Sequence, residues 1–175
     1  MIPVIDLAAG TPATQAAAID AALRAQGFYA VVNHGVPQSL VDGAFDAGHR
    51  FFALDDAVKR QWHVDRWPLK RGFDPIGWQA LDPAMPPDVK ESFYLGVEAI
   101  GPNQWPDETL VPGFRAACNG YSSAMLGLAL RLMGLYEIAL GLPPGFFDGF
   151  MRHPTCTTRL LHYPPQPAAA APGQI

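Results

Sequence analysis

The sequence predicts an α+β fold, and three observations carry the prediction. Periodic segments follow in the order strand, helix, strand, helices, strand, long helix, strand, with no internal repeat and no βαβ regularity. The eighteen prolines and seventeen glycines fall mostly between those segments, where they punctuate loops. Hydrophobic residues make up 49 % of the 175 residues and charged residues only 16 %, which excludes disorder as a class. The predicted sheet is incomplete, so its late strands present unpaired edges unless something else pairs with them.

Each element follows from its own residues. Residues 2–7, IPVIDL, are a short β-branched run and read as a strand. Thr14 is placed to cap a helix in which Ala16, Ile19, Ala22 and Leu23 share a face, and Gly27 stops it. FYAVVNHG, residues 28–35, reads as a buried strand ending in an Asn-His-Gly turn. Pro37 opens the next helix, along which Leu40, Ala44, Phe45, Gly48, Phe51 and Phe52 form an apolar stripe. Asp55 and Asp56 then start a short helix with Lys59 and Arg60 at its far end, matching the macrodipole. Residues 67–87 are dominated by Pro, Gly and aromatics and read as an irregular loop. KESFYLG, residues 90–96, reads as a strand, and a second long loop follows. From about 113 to 140 runs the longest helix, apolar nearly all round and therefore expected to be covered on several sides. PPGFFDGF predicts a short helix, and residues 155–163 a closing strand.

Composition also limits function. A formal net charge of −4, without any basic run, argues against a nucleic-acid partner. The start lacks a basic region and long apolar run, and no charge-free segment is long enough for a bilayer. Two cysteines form neither a disulfide framework nor a zinc knuckle, so a reducing, cytoplasmic setting is expected.

Seven stretches in order, IPVIDL, GFYAVVNHGVP, FFALDDAVK, RGFDPIGWQAL, DVKESFYLG, GPNQWPDETLVPGFR and RLLHYPPQP, resemble the N-terminal half of the isopenicillin-N-synthase-like oxygenases. These are non-haem iron(II) enzymes, most of which use 2-oxoglutarate. The resemblance implies the N-terminal helical and strand region of a double-stranded β-helix, or jelly-roll, oxygenase, with the barrel incomplete in this chain. It divides the chain into an α+β region over 1–112, a long support helix and short helix over 113–155, and the first strand and elbow of the jelly roll over 156–175. The family holds iron with a His-x-Asp pair and a distant His, which leaves three positions of an octahedron for cosubstrate and O₂. An Arg-x-Ser motif anchors the far carboxylate of 2-oxoglutarate. By the resemblance these residues are expected beyond Ile175, so no catalytic or metal-ligating residue is assigned within the chain and the chain alone is expected to be inactive. Fe(II) and 2-oxoglutarate are expected for the complete family member, with neither bound tightly by this chain alone.

Individual candidates divide accordingly. The resemblance makes Tyr163 a candidate ligand of 2-oxoglutarate or substrate, against the alternative of an amphipathic core tyrosine; where relatives often have Asn two positions earlier, this chain has Leu161. Along that strand, alternation puts Arg159, Leu161 and Tyr163 on one face and Thr158, Leu160 and His162 on the other. Arg71 is a candidate for a substrate carboxylate by resemblance, or else a surface arginine stacked on Trp67 or Trp78. His63-Val64-Asp65 has the His-x-Asp form, but reads as surface side chains at a helix end unless His153 or His162 folds back to it. Asn33 and His34 are expected to hydrogen-bond loop backbone, with Gly35 supplying an unusual dihedral. Lys90 and Glu91 read as structural strand residues, and Cys118 and Cys156 as core.

The expected activity is therefore iron- and 2-oxoglutarate-dependent hydroxylation, desaturation or cyclisation of a small molecule by a complete enzyme. The alternative is a non-catalytic α+β binding or assembly module, or half of a split enzyme. Either way the apolar helix and open sheet edge predict self-association or a partner chain.

Overall fold

The computed structural model describes residues 1–79 and 86–165; the alanine run of the expected elbow and part of the expected loop over 67–87 lie outside them. The chain divides into two compact units, Met1–Val41 with Gly120–Pro154 and Asp42–Asn119 with Thr155–Ile175.

In the first unit, β1 (Val4–Asp6) pairs in parallel with β2 (Ala30–Val32), Ile5 opposite Val31. Between them runs α1 (Pro12–Gln26). Its cap is Thr11 rather than Thr14: Thr14 sits at the third helical position and closes a reciprocal capping box with Thr11. Gly27 ends the helix at φ 79°, its N–H donating to Leu23 O. The buried face is Gln15, Ala16, Ile19 and Ala22, while Leu23 is exposed. Gln15 is buried because its amide donates to the carbonyls of Leu7 (3.1 Å) and Ala9 (2.9 Å) and holds the turn after β1. The stretch 28–35 is less buried than its composition predicts: Ala30 and Val32 are exposed, and only three residues pair.

Ile5, Leu7, Ile19 and Ala22 pack with Leu128 and Leu135 of α4 (Phe114–Ala139). The hydroxyls of Tyr29 and Tyr136 meet at 2.7 Å, and Arg131 donates to Leu7 O. Covering of α4 on several sides is not found among the described residues. Leu128 and Leu135 are buried, but Leu130 and Ile138 are 44 % and 48 % exposed. The short helix α5 (Asp148–Met151) follows, approached by a loop that Glu137 holds.

The second unit is built on an antiparallel sheet in the order β3 (Gly72–Asp74), β4 (Glu91–Gly96), β5 (Thr157–His162). β3 lies within the stretch read as irregular loop; three residues are too few to show alternation among prolines, glycines and aromatics. On one face of the sheet lie Phe73, Phe93 and Leu95, closed over by Phe51 and Phe52 of α2 (Gln38–Phe52) and by Phe114 and Cys118. Phe51 is fully buried, its ring centroid 4.9 Å from that of Phe93 and 5.3 Å from that of Phe114. The Phe51–Phe93 pair is edge-to-face, a contact that contributes about 0.5–1.5 kcal/mol beyond area burial, and the Phe51–Phe114 pair is tilted. The stripe on α2 is narrower than its spacing suggests, because Phe45 faces solvent.

Lys59 closes α3 (Asp56–Lys59), but instead of serving the helix terminus in solvent it is buried. Its ammonium donates to Glu91 Oε2 at 2.6 Å and to Phe52 O at 3.2 Å. Glu91 Oε1 meets His162 Nδ1 at 2.8 Å, and the imidazole stacks on Phe52. A buried carboxylate tolerates this position only because a cation and an imidazole satisfy it together.

Candidate functional site

Pleating sorts the sheet into two faces. Phe93 and Leu160 belong to the aromatic core, and cross-strand neighbours Glu91 and His162 join that side. The opposite face carries Asp74, Ser92, Tyr94, Arg159 and Leu161, with Asp74 opposite Ser92, Ser92 opposite Leu161, and Tyr94 opposite Arg159. Tyr163 follows directly after β5 and is half exposed.

That second face is polar yet largely buried. Asp74 is 3 % exposed and Ser92 is fully buried. The Arg159 guanidinium lies 4.6 Å over the Tyr94 ring and donates through Nη2 to Ser92 Oγ (2.9 Å) and Gln79 Oε1 (2.8 Å). Ser92 Oγ donates in turn to Asp74 Oδ2 at 3.4 Å, which is 3.8 Å from Arg159 Nη2. Gln79 completes the cluster by donating to Tyr94 Oη at 2.8 Å. Burial pushes the Asp74 carboxyl above the usual carboxylate range, opposed by the charge of Arg159, the Ser92 hydrogen bond and the more distant His63 and Lys90.

Arg71 is buried rather than stacked at the surface. Its guanidinium donates to the carbonyls of Gly101 and, at 3.3 Å, Val97. The side chain also lines a cavity of about 320 Å³ with Lys70, Tyr94, Ile100, Cys156 and Thr157. The loop over Arg71 is tied down by Asn103, which pairs with both backbone groups of Gly96, and by Gln104, which donates to Arg71 O at 2.5 Å.

The remaining candidates have local partners. His63 Nδ1 accepts from Asp65 N–H at 3.1 Å, its ring sits edge-on to Trp78, and Asp65 takes Lys70. His34 Nδ1 accepts from Val36 N–H at 3.1 Å beside Gly35 at φ 83°, whereas Asn33 donates to the Asp6 side chain rather than to loop backbone. Lys90 pairs with Asp88. Cys118 is in the aromatic core, where burial pushes its thiol up to about 12. Among the described residues no three His, Cys, Asp or Glu side chains meet as a metal-ligating group.

Sequence reasoning named Arg159 only as a strand neighbour of Tyr163, and it missed Asp74, Gln79, Ser92 and Tyr94. The available signal was the alternation E-S-F-Y, which puts Ser92 and Tyr94 on the face opposite Phe93. Nothing local marks Asp74, whose strand is formed only by pairing with β4.

Comparison with known proteins places these features in context. Residues 2–108 match the family described as the N-terminal region of the non-haem dioxygenase in morphine synthesis. A 2-oxoglutarate-dependent dioxygenase of Monascus ruber, citB, is 34 % identical over 166 residues, which cover 86 % of this chain and 50 % of that protein. Another, of Didymella fabae, is 33 % identical over 83 % of this chain and 49 % of that protein. Among solved structures, a full-length Neurospora crassa protein in complex with alpha-KG and thymine superposes with a TM-score of 0.81 at 27 % identity, covering 93 % of this chain and 55 % of that one. The chain thus spans about half the length of the curated relatives it matches.

Proposed function

The chain belongs to the non-haem dioxygenases, through their N-terminal region, and from that membership we propose that it serves an Fe(II)- and 2-oxoglutarate-dependent oxidation of a small molecule. The reaction is hydroxylation, desaturation or cyclisation in a cytoplasmic enzyme. The observation that carries the reading is the second face of the sheet: a buried polar cluster in line with Leu161 and followed by Tyr163, on the side away from the aromatic core. Such a face suits a pocket wall, because unsatisfied polar groups are too costly for packing alone.

In this reading Tyr163 offers its hydroxyl to a carboxylate of cosubstrate or substrate. Arg71, at the cavity shared with Tyr94, offers a substrate carboxylate the Nη2 edge whose bond to Val97 O is long. Iron would activate O₂ in such an enzyme. The described residues do not themselves assemble a metal-ligating group, so no step is assigned to a metal on them.

The test is succinate formation from 2-oxoglutarate with Fe(II), measured on the protein as its source makes it. Succinate coupled to substrate oxidation supports the reading, and no succinate at saturating iron overturns it. Tyr163→Phe should raise the KM for 2-oxoglutarate or substrate about tenfold, the size of one charge-assisted hydrogen bond. The 175-residue chain alone should bind Fe(II) only weakly; tight stoichiometric binding would move the metal ligands into this chain.

A second reading, a non-catalytic assembly module, is favoured by β5, which among the described strands pairs with β4 only. Succinate formation separates the two.

A further inference from the structure

Three of the four tryptophans, Trp62, Trp67 and Trp105, line one cavity of about 430 Å³ together with Gln61 and Arg66. The chain reaches it from two sides. Trp62 and Arg66 end the successive 3-10 turns Arg60–Trp62 and Val64–Arg66, Trp67 follows them directly, and Trp105 comes from the loop after β4. Two buried amides fix that loop. Asn103 pairs with both backbone groups of Gly96, and Gln104 donates to Arg71 O and, at 3.5 Å, to His63 O between the two turns. The walls are tied to each other, so the cavity is formed before anything enters it.

We propose that this cavity is a binding site for a small, flat aromatic carboxylate, separate from the polar face that carries Tyr94 and Arg159. Trp62 and Trp105 pack on the aromatic core, which lies on the other face of the sheet. The inference stands independently of the oxygenase reading.

The indoles select a flat ring. Trp62 is held against Phe51 at 6.2 Å between ring centroids and Trp105 against Phe114 at 6.3 Å, yet both are only half buried. Trp67 is 42 % exposed and makes no ring contact among the described residues. Three indoles left partly wet around one cavity of ligand size offer apolar surface that a planar guest would cover. Charge then selects a carboxylate. Among the described residues no Asp or Glu lines the cavity, and Arg66 forms no ion pair. The side chains of Arg66 and Gln61 make no hydrogen bond there either, so both keep open donors, and a guanidinium takes a carboxylate through two of them. The neighbouring carboxylates are already engaged: Asp65 takes Lys70, and Glu98 accepts from Trp105 Nε1 at 2.9 Å and from Arg115 at 3.1 Å. The Arg115 guanidinium lies 5.7 Å over the Trp105 ring and adds to the positive field. An ammonium, the other guest suited to indole walls, would meet Arg66 with like charge.

The test is an NMR titration of the ¹⁵N-labelled 175-residue chain with three probes: 1-naphthoate, 1-naphthylmethylammonium and cyclohexanecarboxylate. The indole N–H signals of Trp62, Trp67 and Trp105 should shift with 1-naphthoate, while that of Trp78, which sits edge-on to His63 and does not line the cavity, should stay. 1-Naphthoate should bind at least tenfold more tightly than either other probe. Arg66→Gln should weaken 1-naphthoate about tenfold and remove its advantage over the ammonium. Trp67→Ala should weaken both naphthyl probes alike, several-fold. Both side chains are exposed, so neither variant threatens the fold. No binding of 1-naphthoate at millimolar concentration, equal shifts of all four indoles, or unchanged affinity in Arg66→Gln overturns the site. Equal or tighter binding of the ammonium overturns the charge selection, and equal binding of cyclohexanecarboxylate overturns the aromatic one; either result defeats the proposed ligand class.

Discussion

Gly72 stands at φ 116°, and a Cβ there would collide with Trp62 O and lie 2.9 Å from the Gln104 amide. Both the backbone conformation and the space therefore demand glycine at the start of β3. Gly72→Ala should cost about 1–3 kcal/mol, read as a lowered urea midpoint at unchanged slope; an unchanged midpoint would mean the loop shifts freely. The two thiols differ in a way that chemistry can read directly. Burial among Phe51, Phe93 and Phe114 pushes the Cys118 thiol up to about 12, while Cys156 is only half buried. Since the thiolate is the nucleophile, iodoacetamide at pH 8 should label Cys156 in the folded protein and spare Cys118. Equal labelling of both in peptide mapping would contradict the burial. At this scale Cys118 was legible as core from its residue type, whereas the Arg71 bonds to Val97 and Gly101 were not, because carbonyl acceptors leave no mark in a sequence.

At the scale of elements, β4 is fastened to α3 and β5 by the Lys59–Glu91–His162 cluster. Lys59→Met strands a buried carboxylate and should cost roughly 3–5 kcal/mol, while the double change Lys59→Met with Glu91→Leu should recover most of that loss. A double mutant no more stable than Lys59→Met alone would show the pair to be worth more than its packing. In the last turns of α4, Glu137 accepts from the amides of Phe147 (3.0 Å) and Gly145 (2.9 Å), which hold its carboxyl below the usual carboxylate range. Because the folded value is the lower one, this contribution is fully present above the ordinary value near ~4.3 and fades as pH falls through the folded value. Glu137→Gln should therefore flatten the acid limb of Tm against pH, with the two proteins converging below that range. A parallel offset at every pH would mean that the carboxylate charge plays no part. The long helix, the strand over 91–96 and the closing strand were legible because each sustains its period over enough residues. β3 was not, being three residues whose extended form comes from pairing with β4.

For the whole molecule, α4 and α5 expose apolar side chains, among them Leu130, Ile138 and Phe150, and this exposure motivates the prediction of self-association. Sedimentation of the 175-residue chain should show concentration-dependent self-association, and a monodisperse monomer across the accessible range would count against it. No helix of the described residues is long and apolar enough to cross a membrane. The described α+β elements match the predicted class, and the family resemblance carried by seven ordered stretches agrees with the match over residues 2–108.

By itself the sequence determined the class of fold, the order of the longer elements, the two faces of β5 and the family, because these depend on local period and on residue type along the chain. Only the tertiary structure decided which polar residues share a site. Asp74 and Arg159 stand 85 positions apart, and they meet because the register of β3 on β4 and of β4 on β5 carries both to one face. Lys59 likewise became a buried partner of Glu91 rather than a helix-end cation. Such meetings depend on strand pairing and burial between distant segments, and these exist only once the chain has closed on itself.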